Sequence, residues 1–227
     1  MNNSVILEPA LPFDLIVFDW DGTLMDSEAR IVACISAAIQ DLNLEPRDSQ
    51  AMRNVIGLGL HEAIEKLYPG SHEPFRLHFI ERYRYHFLEA DPTPSSLFAD
   101  SRATVAALQQ QRYLLAIATG KGRIGLDQVL EETAMGSHFI TSRCADETRS
   151  KPHPQMLLEI IETCGVDPRR TLMVGDTEYD LEMGRHAGVA TLAVSYGVHT
   201  LERLLTHQPN GVIHAISELP AWLANLR

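Results

Sequence analysis

The stretch LIVFDWDGTLMDSE, Leu15 to Glu28, runs four apolar residues into two aspartates that flank a tryptophan, then into glycine and threonine. A core strand gains nothing from such an ending, because burying an unpaired carboxylate costs on the order of several kcal/mol. Asp19 and Asp21 are two residues apart, so an extended backbone projects both to one side and Trp20 to the other, into apolar packing. Carboxylates that close repel, and one holds a proton unless a cation lies between them. Oxygen ligands with water completing an octahedron suit Mg2+. Gly22 permits a tight turn after the strand, and Thr23 is expected to cap the segment beyond that turn.

Outward from this stretch, short apolar runs alternate with helical patterns. Strands are expected at 15–18, 114–119, 138–144, 171–176 and 190–197, with a weaker sixth at 211–216; helices are expected at 101–111, 125–135, 154–165 and 180–188. Alternation of this kind predicts an α/β fold, a Rossmann-like parallel sheet covered on both faces. The rhythm breaks once. Residues 27–91 carry helical periodicity and no strand pattern, in three amphipathic segments, 27–44, 49–67 and 73–90, punctuated by Pro46, Pro69-Gly70 and DPTPSS. An insert far beyond ordinary connection lengths needs a task or a core of its own. The expected division is a catalytic core of residues 1–25 and 96–227 with an all-helical cap of residues 26–95, and frayed ends over the first dozen and last few residues.

In open parallel sheets, ligands bind beyond the carboxyl ends of the strands. The residues closing the expected strands are Asp19 and Asp21, Thr119 with Gly120, and Asp176; Lys151 stands before Pro152 at the start of a helix. Asp180 lies four residues after Asp176, where a helix returns it to the same side. Pro152 biases Lys151 towards extended backbone, aiming its ammonium at Asp19.

The segments DWDGT, ATG, SKPHP and VGDTEYD, in this order, resemble the four motifs of the haloacid-dehalogenase-like hydrolase superfamily. Their spacing is similar to that of its phosphoglycolate-phosphatase-like members, which carry a helical cap after the first motif. The resemblance implies Asp19 as nucleophile and Asp21 as general acid and base. It further implies Thr119, Gly120 and Lys151 on the phosphoryl group, and Mg2+ held among Asp19, Asp21, Asp176 and Asp180. The chemistry agrees: an anionic phosphoryl centre repels a carboxylate until cations neutralise both. An acid at position 21 speaks against the dehalogenase and phosphonate-hydrolase relatives and leaves a phosphatase of a small phosphorylated metabolite, phosphoglycolate-like or a sugar phosphate. The alternatives are a β-phosphoglucomutase-like mutase and, in another class, a phospho-acceptor signalling module.

One departure stands out. The second motif usually reads Thr-Asn-Lys in these relatives, whereas this chain has Thr119-Gly120-Lys121. Lys121 and Arg123 are then either solvated or in contact with substrate anions. In the cap, Gly57 and Gly59 form either a loop that approaches the ligand or a plain turn between helices. Arg53 and His61 flank that segment and are candidates to meet a distal carboxylate or phosphate. ERYRYHF, residues 81–87, reads as a half-exposed helix face.

The formal net charge of −11 argues against nucleic-acid and anionic-membrane surfaces. No apolar run is long enough to span a bilayer. The ten histidines show no ligand spacing, and the three cysteines no C-x-x-C. A reduced cytoplasmic protein, monomeric or homodimeric, is the expectation.

Overall fold

The computed structural model describes residues 12–226; the expectation of frayed ends falls mainly on residues 1–11 and 227, outside them. Six parallel strands form one sheet in the order β5-β4-β1-β6-β7-β8: β1 Leu15–Phe18, β4 Leu114–Thr119, β5 Thr141–Cys144, β6 Thr171–Gly175, β7 Ala190–Val194 and β8 Gly211–Ile213. The first strand in sequence is central, with Phe18 level with Ile117 on one side and Val174 on the other. Strand order reverses beside it, which opens a crevice at its carboxyl end.

The apolar runs are continuous because both faces of the sheet are covered. Ile16 and Phe18 pack with Leu115, Ile117, Val105 and Leu126 on one face, against α5 Ser101–Gln110 and α6 Arg123–Glu132. Leu15 and Val17 pack with Met156, Ile160, Met173 and Met183 on the other, against α7 Gln155–Cys164 and α8 Glu178–Ala187. α9 Leu201–Leu205 and α10 Leu219–Ala224 close the chain among the described residues.

Three expected strands are shorter than their apolar patterns. β5 starts at Thr141 because Gly136–His138 forms a 3-10 turn. β7 ends at Val194, after which the Tyr196 hydroxyl donates to the Thr23 carbonyl and the Val198 amide to Asp176. β8 ends at Ile213, because the His214 amide turns to the Glu218 carboxylate.

The helical layer consists of α1 Glu28–Asp41, α2 Ser49–Arg53, α3 Leu60–Leu67 and α4 Glu73–Tyr85, the last continued by a π-turn, His86–Ala90. It has its own core around Ile35, Ala38, Ile64 and Phe79, which Tyr179 of α8 joins. The expected segment 49–67 is two helices separated by residues 54–59. A short ladder that the sequence does not announce marks both crossings: β2 Met25–Asp26 pairs antiparallel with β3 Ser96–Leu97. The three cysteines are free, with Cys34 and Cys144 buried and their thiols pushed up to about 12, first by burial. No described helix is long and apolar enough to cross a membrane.

Candidate active site

The floor of the site is the carboxyl end of β1, β4 and β6. The Asp19 amide still donates to the Val174 carbonyl at 2.9 Å, so the sheet holds the backbone of Asp19 in place. Lys151 Nζ lies 2.6 Å from Asp19 Oδ1 and 2.6 Å from Asp180 Oδ1, and all three side chains are buried. Asp19, Asp176 and Asp180 each offer an oxygen within 4.8 Å of the others.

The surroundings fix this cluster. Asp176 accepts from the Thr23 hydroxyl at 2.9 Å and the Val198 amide at 2.8 Å. Thr23, expected as a helix cap, therefore serves the cluster instead. Asp180 Oδ2 accepts from the Thr177 amide at 3.1 Å and hydroxyl at 2.7 Å, capping α8 while its other oxygen meets Lys151. Gly22 is required twice over: its φ is +86°, and a Cβ there would lie 2.2 Å from Asp176 Oδ2.

Asp19 and Asp180 share one ammonium in a buried site, and burial and mutual charge shift Asp19 and Asp176. Burial raises Asp19 well above the usual carboxylate range; Lys151 opposes this, and the charges of Asp180 and Asp176 add to it. Asp176 is pushed up to about 7, first by burial and then by Asp180, against the Val198 and Thr23 hydrogen bonds and Lys151. Burial alone would discharge Lys151, but the charges of Asp180 and Asp19 outweigh it and hold the ammonium above its ordinary value. The cluster is one cation short. Asp19 Oδ2 is buried with no hydrogen-bond partner. An all-oxygen donor set with an orphaned carboxylate oxygen fits a hard divalent cation.

The Asp21 side chain lies outside the cluster of Asp19, Asp176 and Asp180, although it was also expected to serve the metal. Its Oδ1 accepts from the Ser27 hydroxyl at 2.6 Å, and its Oδ2 lies 3.0 Å from Lys121 Nζ. The turn after Trp20, with the Thr23, Leu24 and Met25 amides all donating to the Trp20 carbonyl, swings Asp21 towards the cap. Trp20 is fully buried, as expected. Thr119 is buried at the end of β4, its hydroxyl accepting from the Lys121 amide at 3.1 Å.

Gly120 explains the departure in the second motif. A Cβ there would lie 2.5 Å from the Gly57 carbonyl oxygen and 2.6 Å from that of Leu58, so the cap loop sits directly on residue 120. The Gly59 amide donates to the Ser150 hydroxyl at 2.7 Å, next to Lys151. Gly57, at φ +95°, rests against Thr177. This segment is a loop seated on the core, and not a plain turn between helices.

A cavity between cap and core reaches Asp19 and Asp21 and is lined by Gly57, Gly120 and Lys121, by Tyr83, Arg84 and Phe87, and by further apolar cap residues. ERYRYHF thus contributes three side chains to the site, although Tyr85 is exposed as expected. Tyr83 and Phe87 are missed by sequence reasoning because aromatic residues on an amphipathic helix look like core. Arg53 and His61 are not brought to this cavity: Arg53 pairs with Glu28 at 2.6 Å, and His61 lines a separate hollow with Glu62 and Glu65. Arg123 forks onto Glu147 with two 2.8 Å bonds and serves the scaffold.

Residues 16–194 match the family model described as haloacid dehalogenase-like hydrolase. A curated relative in Dickeya dadantii, "Probable phosphatase IndB", is 34% identical over 209 residues, covering 90% of this chain and 91% of its own. The phosphoglycolate phosphatase of Aquifex aeolicus is 29% identical over 184 residues, covering 81% of this chain and 85% of its own. A solved haloacid dehalogenase-like hydrolase of Streptococcus pneumoniae superposes with a TM-score of 0.80 at 22% identity, covering 93% of this chain and 98% of that one, and so shares the fold. With the family model spanning well over half of its length, the chain belongs to the haloacid dehalogenase-like hydrolase family.

Proposed function

We propose that this chain is a Mg2+-dependent phosphatase of small phosphorylated metabolites, working through an aspartyl-phosphate on Asp19, with residues 26–95 as its cap. The observation that carries the reading is Asp19 itself: a buried carboxylate with one oxygen on Lys151 and the other unpartnered, at the end of the central strand.

Asp19, Asp176 and Asp180 would hold the cation, which supplies positive charge to a phosphoryl group and to the carboxylate approaching it. Lys151 keeps Asp19 oriented and contributes a second positive charge at the same place. The Thr119 hydroxyl and the Gly120 amide, at the end of β4, would donate to the equatorial phosphoryl oxygens. In the first displacement an Asp19 oxygen bonds to phosphorus, the bond to the ester oxygen breaks, and Asp21 gives its proton to the leaving alkoxide. In the second, Asp21 takes a proton from water, the water oxygen bonds to phosphorus, and the phosphorus–Asp19 bond breaks. Phosphate leaves and Asp21 is protonated again. The seated cap excludes bulk water between the two steps.

The test is multiple-turnover phosphate release from p-nitrophenyl phosphate with Mg2+, abolished by EDTA and by Asp19→Asn. A single stoichiometric phosphorylation without turnover would favour a phospho-acceptor module, and isomerised sugar phosphate with little free phosphate would favour a mutase.

A further inference from the structure

The cavity beneath the cap is more apolar than a glycolate or sugar phosphate would use. Above the two aspartates its walls are Ile35, Val55, Ile56, Phe87 and Leu88, with Ile124 at the rim. Ile124 is 66% exposed, the most exposed large apolar side chain among the described residues. A concave pocket lined mainly by apolar side chains with a few polar groups at one end is a feature of ligand sites.

The charged groups on the same walls are matched in pairs. Lys121 Nζ lies 3.0 Å from Asp21 Oδ2 and 4.3 Å from the centre of the Phe87 ring. Arg84 is 3.7 Å from Asp146, which also lines the cavity. Among the described lining residues, the two cations, Lys121 and Arg84, each already face a carboxylate. A distal carboxylate would have to compete with buried Asp21 for Lys121, or with Asp146 for Arg84. Few hydroxyl or amide side chains are present to hold the several hydroxyls of a sugar. Tyr83 is the phenol that lines the cavity.

We propose that this site selects phosphate monoesters of apolar alcohols, alkyl or arylmethyl, and discriminates against phosphoglycolate and polyhydroxylated sugar phosphates. The proposal rests on the phosphatase reading above and names its substrate class. The leaving alcohol lies against Ile35, Val55, Ile56 and Phe87, and the phosphoryl group sits over Asp19. Burial of each added methylene favours binding by about fourfold until the cavity is full.

The test is steady-state kinetics with Mg2+ on ethyl, butyl, hexyl and benzyl phosphate beside phosphoglycolate and glucose 6-phosphate, all esters of primary alcohols. The expected result is a kcat/KM that climbs along the alkyl series by about fourfold per methylene at first. Most of that climb lies in KM, and benzyl phosphate exceeds phosphoglycolate by tenfold or more. A flat alkyl series, or phosphoglycolate or glucose 6-phosphate ahead of benzyl phosphate, overturns the proposal while leaving the phosphatase reading intact. Failure to turn over any of these or p-nitrophenyl phosphate removes both together. Ile124→Arg, at an exposed position the fold tolerates, supplies an unpaired cation at the rim. It should shift the ratio of phosphoglycolate to hexyl phosphate at least tenfold towards phosphoglycolate; an unchanged ratio places the rim outside the substrate's reach and counts against the proposal.

Discussion

The Gly59 amide donates a 2.7 Å hydrogen bond to the Ser150 hydroxyl, joining the cap loop to the residue that precedes the buried lysine of the site. The bond is buried and spans 91 positions of sequence. It couples the position of the cap to the segment that presents Lys151. Ser150→Ala should raise KM severalfold with a smaller effect on kcat, and speed hydrogen exchange of the Gly59 amide at an unchanged circular dichroism spectrum. A buried hydrogen bond of this kind is worth about 1 kcal/mol. Exchange at the wild-type rate would show that the loop is held by other contacts.

Gly120 meets the cap loop backbone from below. In Gly120→Ala the new Cβ overlaps the Gly57 and Leu58 carbonyls, which are backbone atoms and cannot rotate away. The loop must lift. The expected outcome is a tenfold or greater fall in kcat/KM and a stability loss of about 1–3 kcal/mol, the usual range for overpacking. Denaturant unfolding and kinetics on the same preparation check both.

Asp176 sets one pH dependence of the metal-free protein. Its folded pKa, near 7, lies above the ordinary value of 3.8, so the folded state favours its neutral form. The stability that this group contributes is fully present below pH 3.8 and is lost as pH rises to about 7. Asp176→Asn should abolish that slope, and above pH 7 the metal-free variant should melt at a higher temperature than the parent. Added Mg2+ should raise the melting temperature of the parent most above pH 7 and that of the variant much less. Thermal melts in EDTA and in Mg2+, at pH 5 and pH 8, read all of these.

His199 acts in the opposite direction over an overlapping range. Burial first, then the nearby Arg203 charge, lowers its pKa from 6.5 to about 4, while Glu178 and Asp180 pull the other way. Its Nδ1 accepts from the Glu178 amide at the start of α8, which requires the neutral ring. Its contribution is present above pH 6.5 and is lost as pH falls to about 4. His199→Asn keeps a side-chain acceptor for that amide and removes the titration, so its stability should fall less than the parent's between pH 6.5 and pH 4. Comparing the Asp176 and His199 variants separates two slopes that partly cancel in the parent.

The strand ends were legible because a fully buried strand is a run of apolar residues, and whatever interrupts it at the carboxyl end faces the crevice. That reasoning reached Asp19, Asp21, Thr119 and Asp176, with Lys151 taken from its place before Pro152, and the structure brings Asp19, Lys151, Asp176 and Asp180 within direct contact or a few ångströms. The turn beyond is less legible. Whether Asp21 faces the other carboxylates or the cap depends on three amides converging on the Trp20 carbonyl, which no residue pattern announces. Arg53 and His61 were candidates because donors near a glycine-rich loop resemble an anion site; Glu28 sits one helix away in sequence and claims Arg53 first. Two-residue strands such as β2 and β3 are too short to carry any periodicity.

Those two short strands bear on how this fold can be altered. Met25–Asp26 and Ser96–Leu97 lie side by side, and the Phe98 amide and Ser101 hydroxyl both donate to the Leu24 carbonyl. The helices between them thus leave and rejoin the sheet through one doorway, and no strand of the six-stranded sheet lies within that excursion. A change on the far side of that ladder leaves the backbone of Asp19 on the sheet, but it reaches the site through Ser27 on Asp21 and through the Gly59 amide on Ser150.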